Sequence, residues 1–160
     1  MKGFLIAVVL VLASVSLRAQ NWVHDKATDV MTDETFTVFL LKGQVLDSGL
    51  AGLRLYCSKG KVSWAGFAVE GMRFHYDSYA SLRNPPYVTY AKVRTGNKVE
   101  SHAFLVTQDM KEAHISNQEM KKIIQASGAI IGFSDALGTT HYAKFTDASS
   151  TPDLNSECSL

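Results

Sequence analysis

Along most of this chain, side chains alternate between apolar and polar, and turn signals cut the alternation at short intervals. A period of two places successive side chains on opposite faces, which suits strands with one buried face and not helices. Residues 35–41 (Thr-Phe-Thr-Val-Phe-Leu-Leu) are β-branched and aromatic, with Phe36, Val38 and Leu40 expected on the core side. In 51–57 the inward set is expected to be Leu53, Leu55 and Cys57, with Arg54 and Tyr56 outward. Ser58-Lys59-Gly60-Lys61 is a tight turn, so 62–69 is expected to return as the second strand of a hairpin. Further strands are predicted at 72–76, with Met72, Phe74 and Tyr76 on one side, and at 87–93, 99–107, 129–133 and 139–145. Turns at 95–98 and 135–138 join the last two pairs.

One segment has helical period. Ser116 or Asn117 can cap it, and Glu119 stands at capping-box distance from Ser116. Met120, Ile123 and Ile124 form its apolar stripe, and Ser127-Gly128 ends it. Turn signals spaced roughly eight to twelve residues apart, with one helix among them, predict a mainly β fold. The expectation is an antiparallel β-sandwich or barrel-like sheet with one covering α-helix. Residues 21–33 are polar and mixed, with Trp22 as their one large anchor, and receive no element.

Residues 1–19 have the layout of a secretory signal peptide. Lys2 is followed by an apolar run over 4–13, and small residues offer cleavage after Ala19 or Ser16. The apolar run falls short of the ~20 residues a spanning helix needs. The expected organisation is a signal peptide at 1–19, one β-rich domain at 20–146, and a polar tail at 147–160. No stable membrane insertion is expected after cleavage, and a periplasmic or secreted location follows. Lys and Arg total 16 against 15 Asp and Glu, and the basic residues do not cluster. Nucleic-acid binding leaves a strong basic footprint, so no nucleic-acid partner is expected.

Cys57 and Cys158 are the only two cysteines, and in an oxidising compartment a lone pair is expected to be bridged. The bridge would staple the tail onto a strand. The five histidines (24, 75, 102, 114 and 141) form no His-x-x-x-His pair, and no Cys-x-x-Cys is present, so no metal site is expected. The crowd of Asp25, Asp29, Asp33 and Glu34 lacks the central glycine of a calcium loop and reads as a solvated acidic edge. No Gly-x-Ser-x-Gly elbow and no Gly-rich phosphate loop occur, so no catalytic residue and no cofactor are assigned. Aromatics gather around Pro85-Pro86. Tyr and Arg combine large contact area with a polar end, as binding hot spots require. Tyr79, Arg83, Tyr87 and Tyr90 are therefore the expected partner contacts, on a recognition loop over 77–90.

A longer pattern is visible in Trp22, Met31-Thr32-Asp33, the strand to Leu41, Leu53 to Lys61, and Met72-Arg73-Phe74-His75-Tyr76-Asp77. It resembles the VasI-like, type VI secretion-associated group of small exported bacterial proteins. The adjacent Arg-Cys of that group is interrupted here by Leu55 and Tyr56, and the terminal Cys lies in a polar tail. The resemblance implies a non-catalytic envelope accessory or protein-binding domain whose partner is an envelope or secreted protein. Tyr56-Cys57-Ser58-Lys59-Gly60 is also similar to a turn of small periplasmic lysozyme inhibitors, which carry an eight-stranded sheet. Inhibition of a periplasmic or extracellular enzyme is the alternative role. A hydrolase whose site is assembled from distant residues is the third.

Overall fold

The structure, a computed structural model, describes residues 22–28, 32–47, 49–76 and 87–159. The predicted signal peptide, and most of the loop carrying Tyr79 and Arg83, lie outside the described residues. Nine antiparallel strands form one sheet: β1 (Trp22–Thr28), β2 (Thr35–Val45), β3 (Leu50–Ser58), β4 (Lys61–Val69), β5 (Tyr87–Thr95), β6 (Lys98–Val106), β7 (Glu112–His114), β8 (Gly128–Ser134) and β9 (Thr140–Thr146). A helix α1 (Asn117–Gln125) separates β7 from β8, and α2 (Pro152–Cys158) follows β9.

The spatial order is β1-β2-β3-β4-β7-β6-β5-β8-β9, and β2 also pairs with β9. Strands β2 to β9 therefore close into an eight-stranded barrel, with β1 as an extra strand on β2. One continuous ring is formed, not two stacked layers. Closure rests on two residue pairs, Gln44 with Lys144 and Val45 with Ala143. Gly43 sits beside them because a Cβ there would strike the Phe145 ring and lie 2.9 Å from the Lys144 carbonyl oxygen.

The interior is apolar and aromatic. Phe67 meets Phe74, Phe133 and Phe145 at centroid distances of 5.4, 5.3 and 6.0 Å, mostly edge to face, the arrangement that ring quadrupoles favour. Leu53, Leu55 and Cys57 face inward as expected. Helix α1 buries Met120, Ile123 and Ile124. Ser116 caps it by accepting the Glu119 N–H at 3.2 Å. A lipid-facing barrel shows apolar residues outward and a polar lumen. This one has the opposite pattern, with Lys92, Arg94 and Lys144 exposed outside a Phe-filled interior. Among the described residues no helix is long and apolar enough to cross a membrane.

Four local expectations are corrected. Strand β2 buries Thr37, Phe39, Leu41 and Val45, and turns Phe36, Val38 and Leu40 outward. Both faces of this strand are apolar, so alternation alone could not choose between them. Pairing chose: Phe39 opposes Leu55 and Leu41 opposes Leu53, and directly opposed residues share a face. Residues 72–76 are not a strand; Phe74 is buried and makes one isolated bridge to Asp135. Residues 22–28 do form a strand, exposed except at Trp22.

The tail is the fourth correction. Thr151 caps α2 by accepting the Leu154 N–H, and Pro152 occupies its first turn, where a missing N–H costs nothing. The fold thus has two helices where one was expected. Leu154 and Ala148 are fully buried, and the Trp22 indole N–H donates to the Ala148 carbonyl at 3.2 Å. Cys158 is bonded to Cys57 with Cα atoms 5.1 Å apart. Such bridges are typical of oxidising compartments.

The bridge closes a sequence separation of 101 residues. Loop entropy assigns a loop of that size about 4 to 5 kcal/mol. Replacing both cysteines by Ala is expected to lower unfolding free energy by up to that amount. Equal urea midpoints and m-values for variant and wild type would contradict it.

Candidate functional site

The described side chains inside the ring are mostly apolar and aromatic, and two depressions lie on its outer surface. The outer face of β2, β3, β4 and β7 is unusual for a barrel wall. Antiparallel sheets with one solvated face normally carry polar residues there. Here the pairing register lays down three rows. The first runs Val38, Tyr56, Trp64. The second runs Leu40, Arg54, Gly66, His114, and the third Lys42, Gly52, Ala68, Glu112.

Small residues form the floor of the trough. Gly52 and Ala68 carry little or no side chain there, and Leu40, Arg54 and residues of the 107–111 segment line the trough beside them. The resulting groove has a volume of about 1230 Å³, with Lys42, Arg54, Lys111, Asp109 and Glu112 among its walls. A second depression of about 350 Å³, lined by Phe36, Tyr56, Ser63, Trp64 and Glu112, adjoins it at Glu112. The Trp64 indole lies flat over Gly66, where any Cβ would collide with it. Its edge meets Tyr56 at 5.2 Å in a T-shape, and His114 lies 5.8 Å from it.

Arg54 and Glu112 are the charged centre, 3.6 Å apart. Burial, helped by the negative Asp109, pushes the Glu112 carboxyl above its ordinary pKa, against the pull of Arg54. Neither Glu112 Oε1 nor His114 Nδ1, both buried, has a hydrogen-bond partner among the described residues. These two residues stand two apart on β7 and project outward together. Buried polar atoms without a hydrogen bond cost stability, though Glu112 Oε1 keeps its ion pair with Arg54, so a ligand able to hydrogen-bond them would be favoured here.

The residues expected to make partner contacts are not brought together by what is described. Tyr79 and Arg83 lie outside the described residues. Tyr87 is half-buried, packed on the core and edge-on to Tyr76 at 5.0 Å. Tyr90 is 60% exposed. Three residues apart on β5, they project to opposite faces of the strand.

The sequence period does not reveal the groove, because it assigns Phe36, Val38 and Leu40 to the core and the structure turns them outward. A signal was present: Tyr56 and Trp64 both fall on the outward phase of their hairpin, and a pair of large aromatics is unusual on a solvated face.

Two histidines sit in carboxylate clusters. His102 Nε2 is 3.4 Å from Glu119, whose side chain is 5% exposed and which also meets Lys122 at 3.5 Å. Lys98 and Lys122 hydrogen-bond Glu100 and bring its pKa down to about 2. On β9, His141 lies between Asp135 at 2.9 Å and Asp47 at 3.4 Å. Asp135 Oδ1 accepts the Leu137 and Thr139 N–H groups, each at 2.9 Å. This carboxylate therefore shapes the β8–β9 turn and holds it to His141.

The hydrogen bond from His141, then those from Thr139 and Leu137, lower the Asp135 pKa. A depressed carboxylate pKa gives stability that is complete above the unfolded value, about 3.9, and is lost as pH falls through the folded value. Asp135→Asn is expected to unfold more easily in urea at pH 7 and to show a shallower further loss below about pH 4. Identical acid profiles for variant and wild type would contradict this.

No family model, no curated protein and no solved structure matches this chain.

Proposed function

We propose that this chain is an exported, non-catalytic binding domain that takes a protein partner along the outer groove of β2, β3, β4 and β7. The observation that carries the reading is the outward row of Val38, Tyr56 and Trp64 beside Arg54 and Glu112. Trp, Tyr and Arg dominate binding hot spots because each combines a large contact with a polar end. The surrounding Phe36 and Leu40 are only partly covered, as in an apolar patch awaiting a partner. The disulfide and the signal-peptide layout of 1–19 support a periplasmic or secreted location. The likeness to the VasI-like group points to the same class of envelope accessory, with type VI secretion as the proposed setting.

The test is recovery of partners from envelope extract by the mature protein. Arg54→Ala plus Trp64→Ala is compared with Tyr90→Ala on the far side of the ring. Losing a hot-spot pair costs about 2 kcal/mol or more, roughly 30-fold in affinity. The double variant is expected to lose the partner while Tyr90→Ala keeps it. Loss with Tyr90→Ala alone would move the contact to β5 and the 77–90 loop, and equal recovery by all three would remove the groove.

A second reading, enzyme inhibition, is favoured by the β3–β4 turn. Lys59 and Gly60 have φ of 51° and 71°, the positive values of a tight two-residue hairpin turn. The turn follows disulfide-bonded Cys57, and Glu34 holds it through Ser58 Oγ at 2.7 Å and Lys59 Nζ at 3.3 Å. A preorganised turn with an exposed Lys59 is the kind of element an inhibitor can present to an enzyme. Stoichiometric mature protein is then expected to block a lysozyme, and Lys59→Ala to weaken the block. Full lysozyme activity across enzyme classes would dismiss this role.

A further inference from the structure

Outside the groove, one cluster has the make-up of a metal centre. Glu100 and His102 project from β6 toward Glu119 on α1. Their ligand atoms all lie within 4.8 Å of one another. We propose that Glu100, His102 and Glu119 form a site for a divalent transition-metal cation, with zinc as the natural occupant of a one-His, two-carboxylate set.

One pair of ligand atoms already has the spacing the ion requires, and all three lie within 4.8 Å of one another. Zinc–nitrogen and zinc–oxygen bonds of ~2.1 Å at tetrahedral angles put neighbouring ligand atoms ~3.4 Å apart. His102 Nε2 and Glu119 Oε1 are 3.4 Å apart. That separation is long for a hydrogen bond to a carboxylate, and His102 Nε2 is buried with no hydrogen-bond partner among the described residues. With the ring proton on Nδ1, the Nε2 lone pair faces the cluster and can bond a cation. The imidazole is held flat against Phe104, at 5.9 Å and 13° between planes. Glu119 is a carboxylate 95% removed from solvent, a costly placement unless a cation compensates it.

A cation already does so. The Lys122 ammonium lies 3.0 Å from Glu100 Oε2 and 3.5 Å from Glu119 Oε2. It lies against both carboxylates, in the place a metal would take. Lys122 is 37% exposed on a flexible stem, and ion pairs made by such exposed side chains contribute little. The arm can swing to solvent and give way to the metal. Lys98 remains on the other Glu100 oxygen at 2.7 Å, orienting that ligand as an outer partner. Three protein ligands leave a fourth position open, as catalytic and exchangeable sites do and closed structural sites do not.

The alternative is an ion-pair network that only pins α1 to β6. The two differ in what Lys122 does. In a purely structural network Lys122 is a necessary member; in a metal site it is a competitor. The experiment is zinc titration of the mature, disulfide-bonded protein by calorimetry, with thermal unfolding beside it. Wild type is expected to bind one zinc per chain and to melt at a higher temperature with zinc. His102→Ala is expected to lose affinity about tenfold or more. Lys122→Met, which keeps most of the stem, is expected to tighten binding. Cobalt substitution is expected to give the visible absorption of a tetrahedral ion, lost in His102→Ala. If Lys122→Met does not fold, the wild-type and His102→Ala pair decides alone. No heat with millimolar zinc, or equal affinity in wild type and His102→Ala, would overturn the proposal.

Discussion

The closing of the sheet at Gln44–Lys144 and Val45–Ala143 is the constraint on which the architecture depends. Strand β2 has one edge for β3. Its other edge is divided: the first part takes β1 and the end takes β9. Only Gly43, with no side chain, lets the Phe145 ring settle against β2 at the seam. Where β9 departs, the ring has no ladder to hold it, and β1 with the C-terminal segment fills the opening. Trp22 bonds Ala148, Leu154 is buried, and Thr37 Oγ1 meets Glu157 at 3.2 Å. The disulfide locks this plug to the end of β3. The polar tail is therefore part of the core.

Both proposed sites lie on the outside of the ring. Barrels that enclose ligands leave space within; this one fills it with Phe67, Phe74, Phe133 and Phe145. The outer wall then carries two distinct features. Across β2, β3, β4 and β7, small residues and aromatics make a trough with a charged centre. Between β6 and α1, a histidine and two carboxylates face one another around a lysine. The first is suited to a macromolecular partner, because its features spread over several strands. The second is suited to a single ion, because its ligand atoms converge.

Much of the fold was legible. Strand β3 shows a clean alternation, and its inward Leu53, Leu55 and Cys57 lie where that period puts them. The Ser116 cap and the Met120, Ile123, Ile124 stripe gave α1 within a residue or so. Other elements carried weaker signals. Strand β1 is exposed on nearly every residue, so it has no alternation to read. Strand β7 has three residues, too few for any period. Helix α2 did have a readable start in Thr151-Pro152-Asp153, but only Leu154 and Cys158 mark its buried side. Glu119 was read as half of a capping box; its backbone makes that bond, while its carboxylate turns to His102 and Lys122.

The amino-acid order by itself determined that the chain forms strands joined by tight turns, with one capped helix, and that two cysteines stand where a bridge could form. These are local properties, set by side-chain period, by turn residues that accept positive φ, and by cap hydrogen bonds between near neighbours. Tertiary structure decided which face of β2 points inward, that the sheet closes into a ring, and which outward residues become neighbours. Those outcomes depend on pairing between distant segments. A strand with apolar side chains on both faces has no inside until its partner supplies one, and a site gathered from four strands does not exist until their register is set.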